Sequence, residues 1–186
     1  MKRAILFSST LFLTASPTTS FADTYTVSSD SLVTFLAKIT GSRFKAKTEK
    51  LIGIVEFNAN RTQLIKAKLE VKVDTIKTGM SMRDQHMHNN YLEAKKYPSI
   101  VYTTENLPFN PNNSSSNKII GKFSIHGKEK AAVADIKVTH VSQNKIILEG
   151  KFTLNILDYG IKQPKFMVVE MKPNIEIELL IVLQKK

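Results

Sequence analysis

Asp84, His86 and His88 alternate along the chain, and a carboxylate and two imidazoles spaced two apart make half of a divalent-metal site on an extended segment. On a strand all three face one way, whereas on a helix residues two apart point roughly 200° away from one another. The flanking residues favour a helix. Ser81 and Asp84 form a capping pair, Met80, Met87 and Tyr91 recur at helical spacing, and Pro98 sets the latest end, so a helix is predicted from about Ser81 to Lys95. The chelating pattern is then lost, and His126 and His140 fall on hairpin strands at no metal spacing. No metal site is expected.

Other reaction chemistry finds no support. The chain has no cysteine, so thiol catalysis, disulfide scaffolds and zinc ribbons are excluded. No G-x-S-x-G elbow surrounds a serine, and the seven glycines form no phosphate cradle. No catalytic residue and no cofactor are assigned, and the chain is not expected to be an enzyme.

Charge points to partners instead. The chain carries 27 Lys+Arg against 16 Asp+Glu, a formal net charge of +11. Such a balance favours acidic partners, which include anionic lipid surfaces and nucleic acid. Nearly all the cations are lysine, with arginine at Arg3, Arg43, Arg61 and Arg83 alone. Base readout and phosphate forks prefer arginine, so nucleic acid is not expected and a transient contact with an anionic membrane surface is.

The elements that carry these residues have period 2. From Lys66 to Val73, Ala67, Leu69, Val71 and Val73 fall on one side and Lys66, Lys68, Glu70 and Lys72 on the other, which makes a strand with one dry and one wet face. The alternation recurs in Val33 to Ile39, Leu51 to Phe57, Ile119 to Ile125, Ala132 to Val138, Ile146 to Leu154 and Ile175 to Leu183. Ile100 and Tyr102 mark a short strand after Pro98, and Tyr25 and Val27 begin another. Short turn signals separate the runs, while Leu107 to Asn117 reads as an exposed loop and Asp158 to Lys165 as an irregular connection. The fold class expected is all-β, an antiparallel eight-stranded barrel of lipocalin type with one short α-helix after the fourth strand region. Gly53, Gly121 and Gly150 sit in the inner rows and are expected to leave volume for a cavity.

The first 22 residues read as a signal peptide. Lys2 and Arg3 precede an apolar stretch of about a dozen residues, and Ser20-Phe21-Ala22 supplies small residues at a cleavage position. The stretch is short of the roughly 20 residues that span a bilayer. Cleavage after Ala22 leaves a barrel domain over 23–186 that begins with Asp23 instead of a lipid-accepting cysteine, and the product is expected to be periplasmic or secreted. Its charge falls by the two leader cations to +9.

The segment Ile76 to Ile100, IKTGMSMRDQHMHNNYLEAKKYPSI, resembles the signature of the YceI-like family. In that family Thr-Gly leads into Arg-Asp-x-His, then an aromatic or Leu pair, then Lys-Tyr-Pro. Gly121 to Gly127, GKFSIHG, is similar to its G-x-L-T-I-x-G hairpin, and Asn155 with Asp158-Tyr159-Gly160-Ile161 to its late motif. The resemblance covers essentially the whole chain after the leader. It implies a lipocalin-like barrel with a long apolar channel and a polyisoprenoid, isoprenoid quinone or long acyl chain as ligand, for transport, storage or stress response.

On that resemblance Phe35, Leu69, Val71, Tyr102, Phe123 and Phe152 are expected to line the lipid channel, with Met80, Met87, Tyr91 and Leu92 of the helix. Thr78, Gly79, Arg83, Asp84 and His86 match the family motif and are read as structural. Asp84 caps the helix, and Arg83 and His86 hydrogen-bond to neighbouring backbone or carboxylates. Two positions depart from the pattern. Ile156 stands where the family has Arg, which favours a neutral ligand over a pyrophosphate, and Ser29-Asp30-Ser31 lacks the family's His. The alternative is a secreted interaction or stress module with a filled barrel, acting through its basic surface. Nothing in the sequence sets the oligomeric state, a dimer included.

Overall fold

The structure, a computed structural model, describes residues 22–111, 116–166 and 168–186. The leader lies outside the described residues apart from its last position. Strands run in the order β1 (Asp23–Val27), β2 (Leu32–Ile39), β3 (Ser42–Thr48), β4 (Leu51–Phe57), β5 (Gln63–Lys72), β6 (Ser99–Pro108), β7 (Ser116–Ile125), β8 (Lys128–Val141), β9 (Lys145–Asn155), β10 (Lys165–Phe166) and β11 (Val169–Lys185). The helical piece between β5 and β6 is α1 (Ser81–His86), prolonged by a π-turn over Met87–Tyr91.

These strands build eight antiparallel staves. β1 and β2 both pair with β11, and β4 and β3 pair with β1 and β2 in near-continuous register, Thr26 with Ile54 and Val33 with Thr48. Each pair of short strands is therefore one stave with a kink. From there the chain runs up and down through β5, β6, β7, β8 and β9 to β11, which returns to β1 and closes the barrel. β3 was not anticipated as a strand, although Phe44, Ala46 and Thr48 alternate with Arg43, Lys45 and Lys47.

The kinks are repaired by side chains. At the break between β1 and β2 the Val182 amide donates to the buried Ser31 hydroxyl at 2.9 Å, and the Ser28 amide donates to the Val182 carbonyl at 2.7 Å. Ser31 thus replaces a missing rung of the ladder. At the second break Thr48 accepts from the Lys50 amide at 3.1 Å and its hydroxyl meets that of Thr75 at 2.8 Å.

One end of the barrel is plugged. Tyr25 meets Phe57 edge-on at 5.7 Å between centroids, and Phe57 stacks on Phe109 at 5.5 Å. Arg61 seals this end, reaching the Tyr25 hydroxyl at 3.3 Å and the Ser142 carbonyl at 3.1 Å. The exposed loop expected from Leu107 to Asn117 is thereby corrected. Leu107 and Pro108 belong to β6, Ser116 and Asn117 to β7, and Phe109 and Pro111 are buried in the plug. The prolines and asparagines gave a turn signal without revealing that the aromatic between them is drawn inward.

The inner-row glycines also behave differently from expectation. A Cβ on Gly121 would collide with the Tyr102 ring, one on Gly53 with Leu69 and the Lys68 carbonyl, and one on Gly150 with Ile136 and Leu179. The space over each glycine is occupied by a cross-strand side chain, so the glycines seat large neighbours and do not themselves open the cavity.

Ser31→Ala should cost about 1–3 kcal/mol, because it leaves the Val182 amide buried without an acceptor. Urea denaturation measures the loss and hydrogen exchange localises it to Val182; unchanged exchange there would contradict the repair role.

Candidate functional site

Opposite the plug the barrel opens beneath α1, and an apolar channel runs down its axis in two chambers. The outer one encloses about 610 Å³, within the roughly 300–1,000 Å³ of ordinary ligand sites. The inner one encloses about 120 Å³. Phe35, Ile100, Ile125, Leu154 and Ile177 line both, so this ring of side chains is the neck at which the two chambers meet.

Period 2 explains the inner wall. Every second residue of a closed stave must point inward, and in β5 these are Ala67, Leu69 and Val71, with Lys66, Lys68 and Lys72 outside. Leu69, Val71, Tyr102, Phe123 and Phe152 line the inner chamber, Met80, Met87, Tyr91 and Leu92 the outer, and Phe35 the neck between them. The ten residues singled out in the sequence are thus brought to one channel. Its outer wall also uses Phe44 of β3, Met171 and Ile175 of β11, and Ile156, Ile161 and Pro164 of the connection after β9. Ile156 opens a short 3₁₀-helix, Ile156–Tyr159, and Ile161 and Pro164 follow it in irregular backbone, so none of the three carries a periodic signal. Ile156 makes this side of the mouth apolar.

The inner chamber is crowded by rings. Tyr102 lies 4.8 Å from Phe123, and Phe123 stacks on Phe152 at 5.0 Å. The Tyr102 hydroxyl is buried with no hydrogen-bond partner. Burial pushes its pKa up to about 12, against a smaller opposing effect of the nearby Thr104 hydroxyl. Thr104 itself donates to the Ile120 carbonyl at 2.6 Å.

The polar motif anchors the helix, by contacts that differ from those expected. Asp84 does not pair with Ser81. Its Oδ1 accepts from the Thr78 amide at 2.7 Å and from the Thr78 hydroxyl at 2.6 Å, and the helix begins without a side-chain cap. Burial raises the Asp84 pKa, but the two Thr78 hydrogen bonds outweigh it and hold the carboxyl below its ordinary value. Gly79, at φ 83°, makes the left-handed turn that lets Thr78 fold back over the helix start.

Arg83 donates to the Thr78 carbonyl at 3.2 Å and lies over the Phe44 ring at 4.4 Å, while its Nε is buried without a partner. His86 is exposed at the chamber mouth and takes no part in the anchoring expected of it. That role belongs to His88, whose Nε2 meets the Ile76 carbonyl at 2.8 Å. His88 stands four residues after the buried Asp84, so the two share the face of the helical piece that meets the Ile76–Thr78 segment.

The helix also ends earlier than expected, at Tyr91 instead of Lys95, and Glu93 turns into the left-handed region at φ 46°. Glu93 then meets His126 Nε2 at 2.9 Å, and the His126 ring packs on Tyr97 at 4.4 Å. This clasp fixes the far end of the helical piece to the β7–β8 hairpin. Among the described residues no group of three or more His, Asp or Glu side chains converges on a common point.

Comparison with known proteins agrees with this geometry. The YceI-like domain family matches residues 25–183. A UPF0312 protein of Pseudomonas syringae pv. tomato is 27% identical over 120 residues, which span 60% of this chain and 60% of that protein. Among solved structures, a polyisoprenoid-binding domain of Saccharophagus degradans superposes with a TM-score of 0.67 at 12% identity, covering 87% of this chain and 98% of the other. BcnA of Burkholderia cenocepacia gives 0.70 at 16% identity, covering 84% and 98%. The YceI protein of Campylobacter jejuni gives 0.65 at 18% identity, covering 78% and 86%.

Asp84→Ala should lower stability by about 1–3 kcal/mol at neutral pH, since it strips the acceptor from two Thr78 donors. A depressed folded-state pKa contributes stability that is present above the unfolded value and lost as pH falls through the folded one. The gap between wild type and variant should therefore narrow on acidification in urea titrations; a gap independent of pH would contradict the ionised-acceptor role.

Proposed function

The chain belongs to the YceI-like family, and from that premise we propose that it is a lipid-binding protein, without a reaction of its own, that holds a polyisoprenoid, an isoprenoid quinone or a long acyl chain. The observation that carries this reading is the pair of adjoining apolar chambers inside the barrel, open at one end and plugged at the other, with side chains of nearly every stave in their walls. The polyisoprenoid-binding domain of Saccharophagus degradans, of the same fold, supports the ligand class.

The chain of the ligand enters past the helix, fills the outer chamber and reaches toward the neck. Apolar burial at about 25 cal/mol per Å² drives this over a long hydrocarbon, after the ordering costs of both partners are met. Flexible Met80 and Met87 let the outer wall fit chains of different shape. The headgroup stays at the mouth, which Arg83, His86 and Ile156 border. The apolar Ile156 on that rim suits a neutral headgroup such as a quinone better than a pyrophosphate.

The signal-peptide character of the first 22 residues supports a carrier that works in the periplasm or outside the cell, in lipid transport, storage or a stress response. A second reading has one observation in its favour. Tyr102 tilts against Phe123, which stacks on Phe152, and this ring cluster lies inside the inner chamber, as in a filled barrel that acts through its basic surface.

Uptake of a fluorescent polyisoprenoid or acyl probe separates the two. Leu69→Asp, which places a carboxylate in the inner wall, should weaken uptake at least about tenfold, or roughly 1.4 kcal/mol, while circular dichroism shows an intact barrel. Unchanged uptake by the folded variant would remove the inner wall from the binding site.

A further inference from the structure

Apolar side chains crowd the open end of the barrel on its outside as well. Nine large apolar side chains are exposed among the described residues, and five of them, Met80, Met82, Leu157, Val168 and Val169, belong to the helix start and the two connections that frame the mouth. Met82 is 74% exposed and Val168 89%. Met80, Met82 and Val169 also line the outer chamber, so the channel wall continues onto the surface as an apolar lip.

The other four lie in the barrel wall in a different setting. Ile52 and Ile54 stand opposite Glu70 and Lys68, and Ile120 opposite Val133 on neighbouring strands, so neither pair projects from an edge. An exposed apolar patch that projects around a cavity mouth marks an interaction site.

Charge selects the partner. On the connection that carries Val168 and Val169, Lys162, Lys165 and Lys172 are exposed and are opposed by the single carboxylate of Glu170, while Lys77 precedes the helix side of the lip. Apolar tips flanked mainly by lysines, with Asp158 beside Leu157, on a chain of net charge +9 once the expected leader is removed, match the interface of an anionic bilayer. The tips enter the acyl boundary, and the lysines, with long apolar stems, keep their ammonium groups at the lipid phosphates.

We infer that this lip docks the open end of the barrel onto an anionic membrane, so that the ligand passes between bilayer and channel without crossing water. The passage of ligand rests on the carrier reading given above, whereas the docking stands on the lip and its charges alone.

The test is flotation of the mature chain with phosphatidylcholine vesicles, with and without phosphatidylglycerol, together with probe uptake from detergent. The wild type should float with the anionic vesicles only, and added salt should release it by screening the lysines. Val168→Asp, at a fully solvated position outside the chamber wall, and the double variant Lys162→Gln with Lys172→Gln should each reduce flotation about tenfold or more. Both should leave uptake from detergent unchanged and slow transfer from vesicles.

Equal flotation of wild type and Val168→Asp would overturn the docking, as would equal flotation with neutral and anionic vesicles. So would a dimer in solution that Val168→Asp dissolves, since the lip would then serve a second copy of the chain. Uptake from detergent without flotation sinks the docking and leaves the carrier standing; flotation without any uptake does the reverse.

Discussion

Closure of the hydrogen-bond ladder is the constraint on which the rest of this molecule depends. An open antiparallel sheet has two edges of unpaired amides and carbonyls, and a sheet joined to itself has none. The joint here is made by β11, which pairs with β9 on one side and with both β1 and β2 on the other. Because β1 and β2 are offset, a register step is built into that seam, and the Ser31 hydroxyl bridges it to Val182. Once the ladder closes, alternate side chains of every stave are committed to the interior, and the channel follows from the closure.

A closed barrel must still be finished at its ends, and the two ends are finished differently. Aromatic rings fill one, with Phe109 folded in from the connection after β6. The other receives α1 and its π-turn, held by polar contacts around the rim. Asp84 holds Thr78, His88 holds the Ile76 carbonyl, and Glu93 holds His126. These bonds lie at the edge of the channel and leave its wall apolar. The motif residues therefore set the position of Met80, Met87, Tyr91 and Leu92 in the chamber wall.

Period 2 made most of the barrel legible from the sequence, because each inward row is apolar over several residues and turn residues separate the rows. β3 escaped because Phe44 and Ala46 are its sole apolar members amid Arg43, Lys45 and Lys47. The helix was placed correctly at its start and wrongly at its end, since neither the π-turn nor the left-handed Glu93 has a spacing signature. The inner-row glycines suggested empty volume, while in the fold they accommodate Tyr102, Leu69 and the Ile136–Leu179 pair. The strand and helix residues of the channel were readable, whereas Ile156, Ile161 and Pro164 belong to backbone without a period and become visible as wall in three dimensions alone.

The account turns on whether the channel holds a chain. Native mass spectrometry of the protein purified from the cells that make it, followed by solvent extraction and identification of what is released, addresses this directly. A stoichiometric adduct lost on extraction and identified as an isoprenoid or long acyl lipid is the predicted result. A clean mass for the bare chain, together with no uptake of added polyisoprenoid, quinone or fatty acyl lipids, would contradict it.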